Sequence, residues 1–121
     1  MIVKDLMSTN VVSIDSEATV KDAASKMAQQ EIGSLVIIEQ NKPVGIVTER
    51  DLLSRVLALG RNAEATQVKT VMSKPLICAS PDMDVTEATR FMVAKGIKKL
   101  PITQEGHLIG ILTLTDLCAA Q

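Results

Sequence analysis

Shifted by 65 residues, the chain lies over itself without a gap. Val3-Lys4-Asp5-Leu6-Met7-Ser8 falls on Val68-Lys69-Thr70-Val71-Met72-Ser73, and Gly45-Ile46-Val47-Thr48 on Gly110-Ile111-Leu112-Thr113. Between these marks Val20, Ala23, Met27, Ile32, Leu35 and Ile37 meet identical residues at Val85, Ala88, Met92, Ile97, Leu100 and Ile102. Such self-similarity confines the chain to two copies of one supersecondary unit. The copies span 1–57 and 68–121, and residues 58–67, which have no counterpart, read as a connector. A unit of about 60 residues buries too little surface to be comfortable alone, so the copies are expected to share a core.

The elements of each copy can be placed. Val11 to Ile14 and Leu76 to Ala79 are short apolar runs between polar flanks and read as strands. Thr19 and Asp84 each precede a carboxylate by three residues, Asp22 and Glu87, which is the signature of a capped helix start. Helical spacing then puts Val20, Ala23, Ala24, Met27 and Ala28 on one stripe, and Val85, Ala88, Thr89, Met92 and Val93 on the other. Leu35 to Ile38 and Val44 to Val47 read as a hairpin closed by the turn at 39–43. Leu100 to Thr103 and Leu108 to Leu112 form its partner, closed by the turn at 104–107. Thr48 and Thr113 open final helices, so the order is β-α-β-β-α, twice.

Composition narrows the function classes. With 13 basic and 14 acidic residues the net charge is −1, which argues against a general grip on nucleic acid. The chain has no Trp, no Tyr and one Phe, Phe91, so it cannot build the aromatic platform on which single-stranded nucleic acid stacks. Any purine it holds must lie between aliphatic side chains and backbone. Cys78, Cys118 and the lone His107 lack metal-ligand spacing, which leaves no metal site to expect. No membrane-spanning run or signal peptide is read, and reduced thiols in the cytoplasm are the default expectation.

The chemistry-bearing motif is Gly-apolar-apolar-Thr-x-x-Asp, present as Gly45 to Asp51 and Gly110 to Asp116. Thr and Asp three apart at a strand-to-helix junction can cap the helix reciprocally, which accounts for both residues without a ligand. The same geometry offers a helix N-terminus to a phosphate and a carboxylate to a ribose diol. Neither G-x-x-x-x-G-K-[ST] nor G-x-G-x-x-G is present.

These paired motifs, with Asp5-Leu6-Met7-Ser8 and Thr70-Val71-Met72-Ser73 ahead of them, make the chain resemble the CBS domain family, as a stand-alone tandem pair or Bateman module. The resemblance runs from residue 3 to about 120. It implies an α+β fold in which the two β-α-β-β-α repeats pack through their sheets with pseudo-two-fold symmetry. It also implies two clefts that sense an adenosine compound: AMP, ADP, ATP or S-adenosylmethionine. Carried over by position, cleft 1 takes Thr48, Arg50 and Asp51 with Ser34, Lys74, Leu76, Ile97 and Lys98. Cleft 2 takes Thr113, Thr115 and Asp116 with Thr9, Val11, Ile32, Gly33, Lys98 and Lys99. The aliphatic members would sandwich the base, the Asp would hold ribose, and the unequal cations imply unequal affinities.

No required cofactor is expected, and no catalysis. Nucleophilic chemistry needs a base oriented by a third group, and a single histidine in a turn does not supply one. Output would pass through an effector protein or through a homodimer, favoured by leucines on the helices near 49–58 and 114–119. The alternative from another class is a dimerising structural module in which Thr-x-x-Asp caps helices and nothing binds.

Overall fold

The computed structural model describes residues 1–74 and 76–119. Its elements are β1 (Ser13–Asp15), α1 (Val20–Gln30), β2 (Ser34–Glu39), β3 (Lys42–Thr48) and α2 (Glu49–Leu52). α2 runs on as a π-helical turn, Leu53–Leu57. After it come α3 (Val85–Lys95), β4 (Lys99–Gln104), β5 (His107–Thr113) and α4 (Leu114–Ala119). The mixed α+β class expected from the repeat is present.

The chain divides into two compact units, Val12–Leu76 and Met1–Val11 with Ile77–Gln121. In the first, β1 pairs in parallel with β2, and β2 antiparallel with β3. In the second, β4 and β5 form the same hairpin. There the expected strand at 76–79 is reduced to one parallel bridge, Ala79 with Ile102. Proline explains the difference. In the first unit Val36 donates its N–H to Val12 O. Its counterpart, Pro101, has no N–H to donate, so the ladder cannot extend. In the first copy the strand expected at 11–14 forms two residues later at one end, as Ser13–Asp15.

Both hairpins close through two residues with positive φ: Gln40 and Asn41 (51° and 65°), then Glu105 and Gly106 (52° and 80°). Positive φ at both central positions matches the right-handed twist of the strands. Lys42 and Pro43, read as turn residues, therefore belong to β3. Pro43 sits beside the register shift between Ile37 and Ile38, where a missing donor is tolerated.

α1 starts at Thr19, whose hydroxyl accepts from Asp22 N while Asp22 accepts from Thr19 N, a full capping box. α3 starts at Asp84, which accepts from Thr86 N and Glu87 N. The expected return bond from Glu87 is not part of that cap. The helical stripes are buried at Val20, Ala23 and Met27 and at Ala88 and Met92. They are narrower than expected, since Ala24 and Ala28 are exposed and Val93 is 72% exposed.

The compact units do not coincide with the sequence repeats, because each takes its leading segment from the other copy. Val3 is fully buried among Ala79, Ala88, Met92, Leu100, Ile102, Leu112 and Leu117. Its N–H donates to Met83 O, Lys4 N to Pro81 O and Val85 N to Met1 O. Val68, its counterpart, is buried among Ile14, Val20, Leu35, Ile37 and Val47. Val68 N donates to Ala18 O and Val20 N to Thr66 O. The connector joins the same unit through Lys21 N to Ala63 O, with Ala63 packed on that core.

Candidate functional site

The leading segments end where the Gly-x-x-Thr-x-x-Asp motifs begin. Ile46 and Ser73 exchange two backbone hydrogen bonds (3.2 and 2.8 Å), as do Ser8 and Ile111 (both 2.9 Å). The glycine before each of these strand residues lets the segment approach. A Cβ on Gly45 would stand 2.6 Å from Met72 Sδ and 2.8 Å from Ser73 O, and one on Gly110 would stand 2.5 Å from Met7 Sδ and 3.0 Å from Ser8 O. These glycines thus admit the Met-Ser pair of the exchanged segment into close contact with the strand. This contact fixes the chain just before Lys74 and Leu76 in one unit, and before Thr9 and Val11 in the other.

Both Thr–Asp pairs form reciprocal boxes. Thr48 N donates to Asp51 Oδ2 (2.9 Å) and Asp51 N to Thr48 Oγ1 (3.2 Å), while Thr48 Oγ1 also reaches Asp51 Oδ2 at 3.1 Å. In the second unit Thr113 N donates to Asp116 Oδ2 (2.9 Å) and Asp116 N to Thr113 Oγ1 (3.1 Å). The capping role is therefore realised in both copies. It engages Oδ2, and an ionised carboxylate has about four acceptor positions, so capping leaves acceptor capacity at Oδ1. Asp51 is held at 7% exposure, one of three buried polar residues among those described, with Ser16 and Ser34.

Strand pairing adds further expected members. Ser34 stands opposite Thr48, and Glu49 N donates to Gly33 O. In the second unit Lys99 stands opposite Thr113, and Leu114 N donates to Lys98 O. A lysine thus takes the register position that a buried serine holds in the first copy. Thr48, Arg50, Asp51, Ser34, Lys74 and Leu76 of cleft 1 all fall in the unit Val12–Leu76. Thr113, Thr115, Asp116, Thr9, Val11, Lys98 and Lys99 of cleft 2 fall in the other unit. Ile97 and Lys98, named for cleft 1, and Ile32 and Gly33, named for cleft 2, each belong to the opposite unit from the box they were assigned to. Arg50 and Thr115 are exposed on the first turn of their helices.

One residue beside the first box escaped the sequence reading. Arg55 Nε lies 3.8 Å from Asp51 Oδ1, and Arg55 Nη1 donates to Val71 O and Met72 O (3.2 and 3.4 Å). It ties the helix to the exchanged segment. Its i+4 spacing from Asp51 is the sequence signal for this pairing, and it lies among the leucines of the same helix. Outside the boxes, His107 is exposed at the start of β5, and Cys78 and Cys118 are exposed free thiols. Among the described residues no cluster of His, Cys, Asp and Glu could hold a metal ion, and no helix is long and apolar enough to cross a membrane.

Comparison with known proteins places these features. The CBS domain pattern matches residues 3–58 and again 68–121. The chain is 42% identical over 110 residues to an uncharacterised protein of Methanopyrus kandleri, covering 89% of this chain and 56% of that protein. It thus spans little more than half the length of that relative. It is 37% identical over 119 residues to the CBS domain-containing protein YhcV of Bacillus subtilis, covering 98% of this chain and 84% of that one. Among solved structures, an uncharacterised conserved protein from Pyrococcus horikoshii superposes with a TM-score of 0.88 at 31% identity, over 98% of this chain and 90% of that one.

Proposed function

Because the chain belongs to the CBS domain family and carries two CBS domains in tandem, we propose that it is a regulatory module that binds an adenosine-containing nucleotide at its Thr–Asp boxes. The ligand class is AMP, ADP, ATP or S-adenosylmethionine. The observation that carries this reading is the duplicated box itself. Each copy presents an aspartate oriented by its own threonine at a β-to-α junction, and Asp51 is withdrawn from water with Arg55 Nε 3.8 Å from its Oδ1. A carboxylate so held can accept both hydroxyls of a ribose through its remaining lone pairs. Around it, Leu76 in one unit and Val11 in the other supply half-buried aliphatic surface for a base. Lys74, Lys98 and Lys99 supply charge for phosphate.

The module has no catalytic role in this reading. The Thr and Asp side chains of both boxes are engaged in capping their helices. Signal output runs through self-association or an effector protein. Leu53 (59% exposed), Leu57 (67%) and Leu59 (63%) form the apolar surface that supports a homodimer.

Asp51→Ala and Asp116→Ala test the assignment by calorimetric titration with adenine nucleotides. Two charge-assisted hydrogen bonds are lost in each, so affinity at the altered box falls about a hundredfold or more while the other box keeps its own. Each variant also loses a cap, at about 1 kcal/mol of stability. Thr113→Ala separates the two effects: it carries the same stability loss and a smaller loss of affinity. Unchanged nucleotide affinity in both aspartate variants would refute the assignment.

A further inference from the structure

A second feature of the unit Val12–Leu76 adjoins its box through Arg55, whose Nε lies 3.8 Å from Asp51 Oδ1. Arg55, Lys69 and Lys74 border a cavity of about 740 Å³, together with the hydroxyl residues Thr70 and Ser73. Glu39 is the single carboxylate of that lining. Arg55 is fixed there by its bonds to Val71 O and Met72 O. Lys69 has only a 3.8 Å pairing with the exposed Glu17, and no ion pair engages Lys74 among the described residues.

The duplication provides an internal comparison. Under the 65-residue shift, Arg55 corresponds to Ala120, Lys74 to Thr9, Thr70 to Asp5 and Glu39 to Gln104, with Lys69 matched by Lys4. Three cations against one carboxylate in the first copy become one cation against one carboxylate in the second. The backbone that carries Lys69 and Thr70 and leads into Lys74 is built like that of Lys4, Asp5 and Thr9, from the Val68–Thr70 and Val3–Asp5 turns to the Ser73 and Ser8 bridges. Fold maintenance therefore does not require the extra positive charge. Three cations gathered around a cavity also repel one another, a cost that a bound anion removes.

We propose that this basin is a binding site for a small polyanion of the phosphate class, beside the Thr48–Asp51 box but lined by neither of its residues, and present in the first copy alone. A guanidinium held in place with two ammonium groups on long side chains suits the several oxygens of a diphosphate. Of the site's lining residues only Lys74 is shared with the nucleotide reading, while Arg55, Lys69, Thr70, Ser73 and Glu39 fall outside it.

Titration of the whole chain with inorganic pyrophosphate at low ionic strength tests it. The expected result is saturable binding at one site per chain. It weakens at least tenfold in the double variant Lys69→Gln, Lys74→Gln, at least threefold in Lys69→Gln alone, whose residue the nucleotide reading does not use, and is kept in Asp51→Ala. Two exposed or half-exposed lysines carry little fold stability, so the double variant is expected to melt with the parent. Absence of saturable binding, or binding indifferent to the double variant, overturns the proposal. Binding lost in Asp51→Ala and kept in the double variant also overturns it, by assigning the anion to the box. Loss of nucleotide binding with pyrophosphate binding intact would instead count against the nucleotide reading alone.

Discussion

A chain that begins at Thr9 loses about 4 kcal/mol or more of stability from the unit carrying residues 77–121, although every residue removed belongs to the first sequence repeat. The deletion takes Val3 out of a core in which it is fully buried, and removes the packing of Leu6 and Met7 on the same core. Complete burial of such side chains contributes roughly 1.5–3 kcal/mol each. The backbone bonds of Val3, Lys4 and Ser8 to Met83, Pro81 and Ile111 go with them. Hydrogen exchange checks the direction. Protection falls in β4, β5 and α3, while β2 and β3 keep theirs. The point variant Val3→Ala gives the same pattern at a loss of about 2 kcal/mol. Loss of protection in β2 and β3 instead would mean that each repeat keeps its own leading segment.

The second large effect belongs to Gly45. Gly45→Val lowers stability by about 3 kcal/mol, because the new side chain meets a backbone oxygen as well as a flexible thioether. Met72 Sδ can swing away, but Ser73 O, 2.8 Å from the added Cβ, is held by its exchange with Ile46. Relief requires pulling that segment off β3, which exposes both of its hydrogen bonds to loss. For a chain of this size such a change lowers the melting temperature by on the order of 10 °C. Scanning calorimetry reads it directly, and Gly110→Ala, whose Cβ would meet Met7 Sδ at 2.5 Å and Ser8 O at 3.0 Å, is expected to follow in the same direction. An unchanged melting temperature in Gly45→Val would show that the segment is not seated against the strand.

These two results depend on different layers of the sequence. The order of elements was legible because its signals are local. Thr19 and Asp84 cap helices from their own side chains, and alternation and turn chemistry define both hairpins. The boxes at Thr48–Asp51 and Thr113–Asp116 were legible for the same reason, being closed within four residues. The missing strand at 76–79 was not, because its cause lies on a neighbouring strand at Pro101, whose absent donor matters only once pairing is known.

The exchange of leading segments was illegible in principle from self-comparison. Val3 and Val68 are equivalent residues entering equivalent cores, so similarity between copies is the same whichever core receives which segment. Arg55 was hidden differently. Its role depends on carbonyls 16 and 17 residues away, in a segment that reads as the start of the next repeat. The departures between copies at Arg55, Thr70 and Lys74 acquire meaning only when one cavity gathers them.

A tandem CBS pair with two oriented aspartates is expected to bind adenosine compounds. The most direct test is a calorimetric titration of the nucleotide-free chain with AMP, ADP, ATP, S-adenosylmethionine and, for contrast, GTP. Saturable binding of at least one adenosine compound, tighter than any seen with GTP, is the predicted result. No heat and no thermal shift with any of the four adenosine compounds would contradict it, and would leave a dimerising module whose aspartates cap their helices.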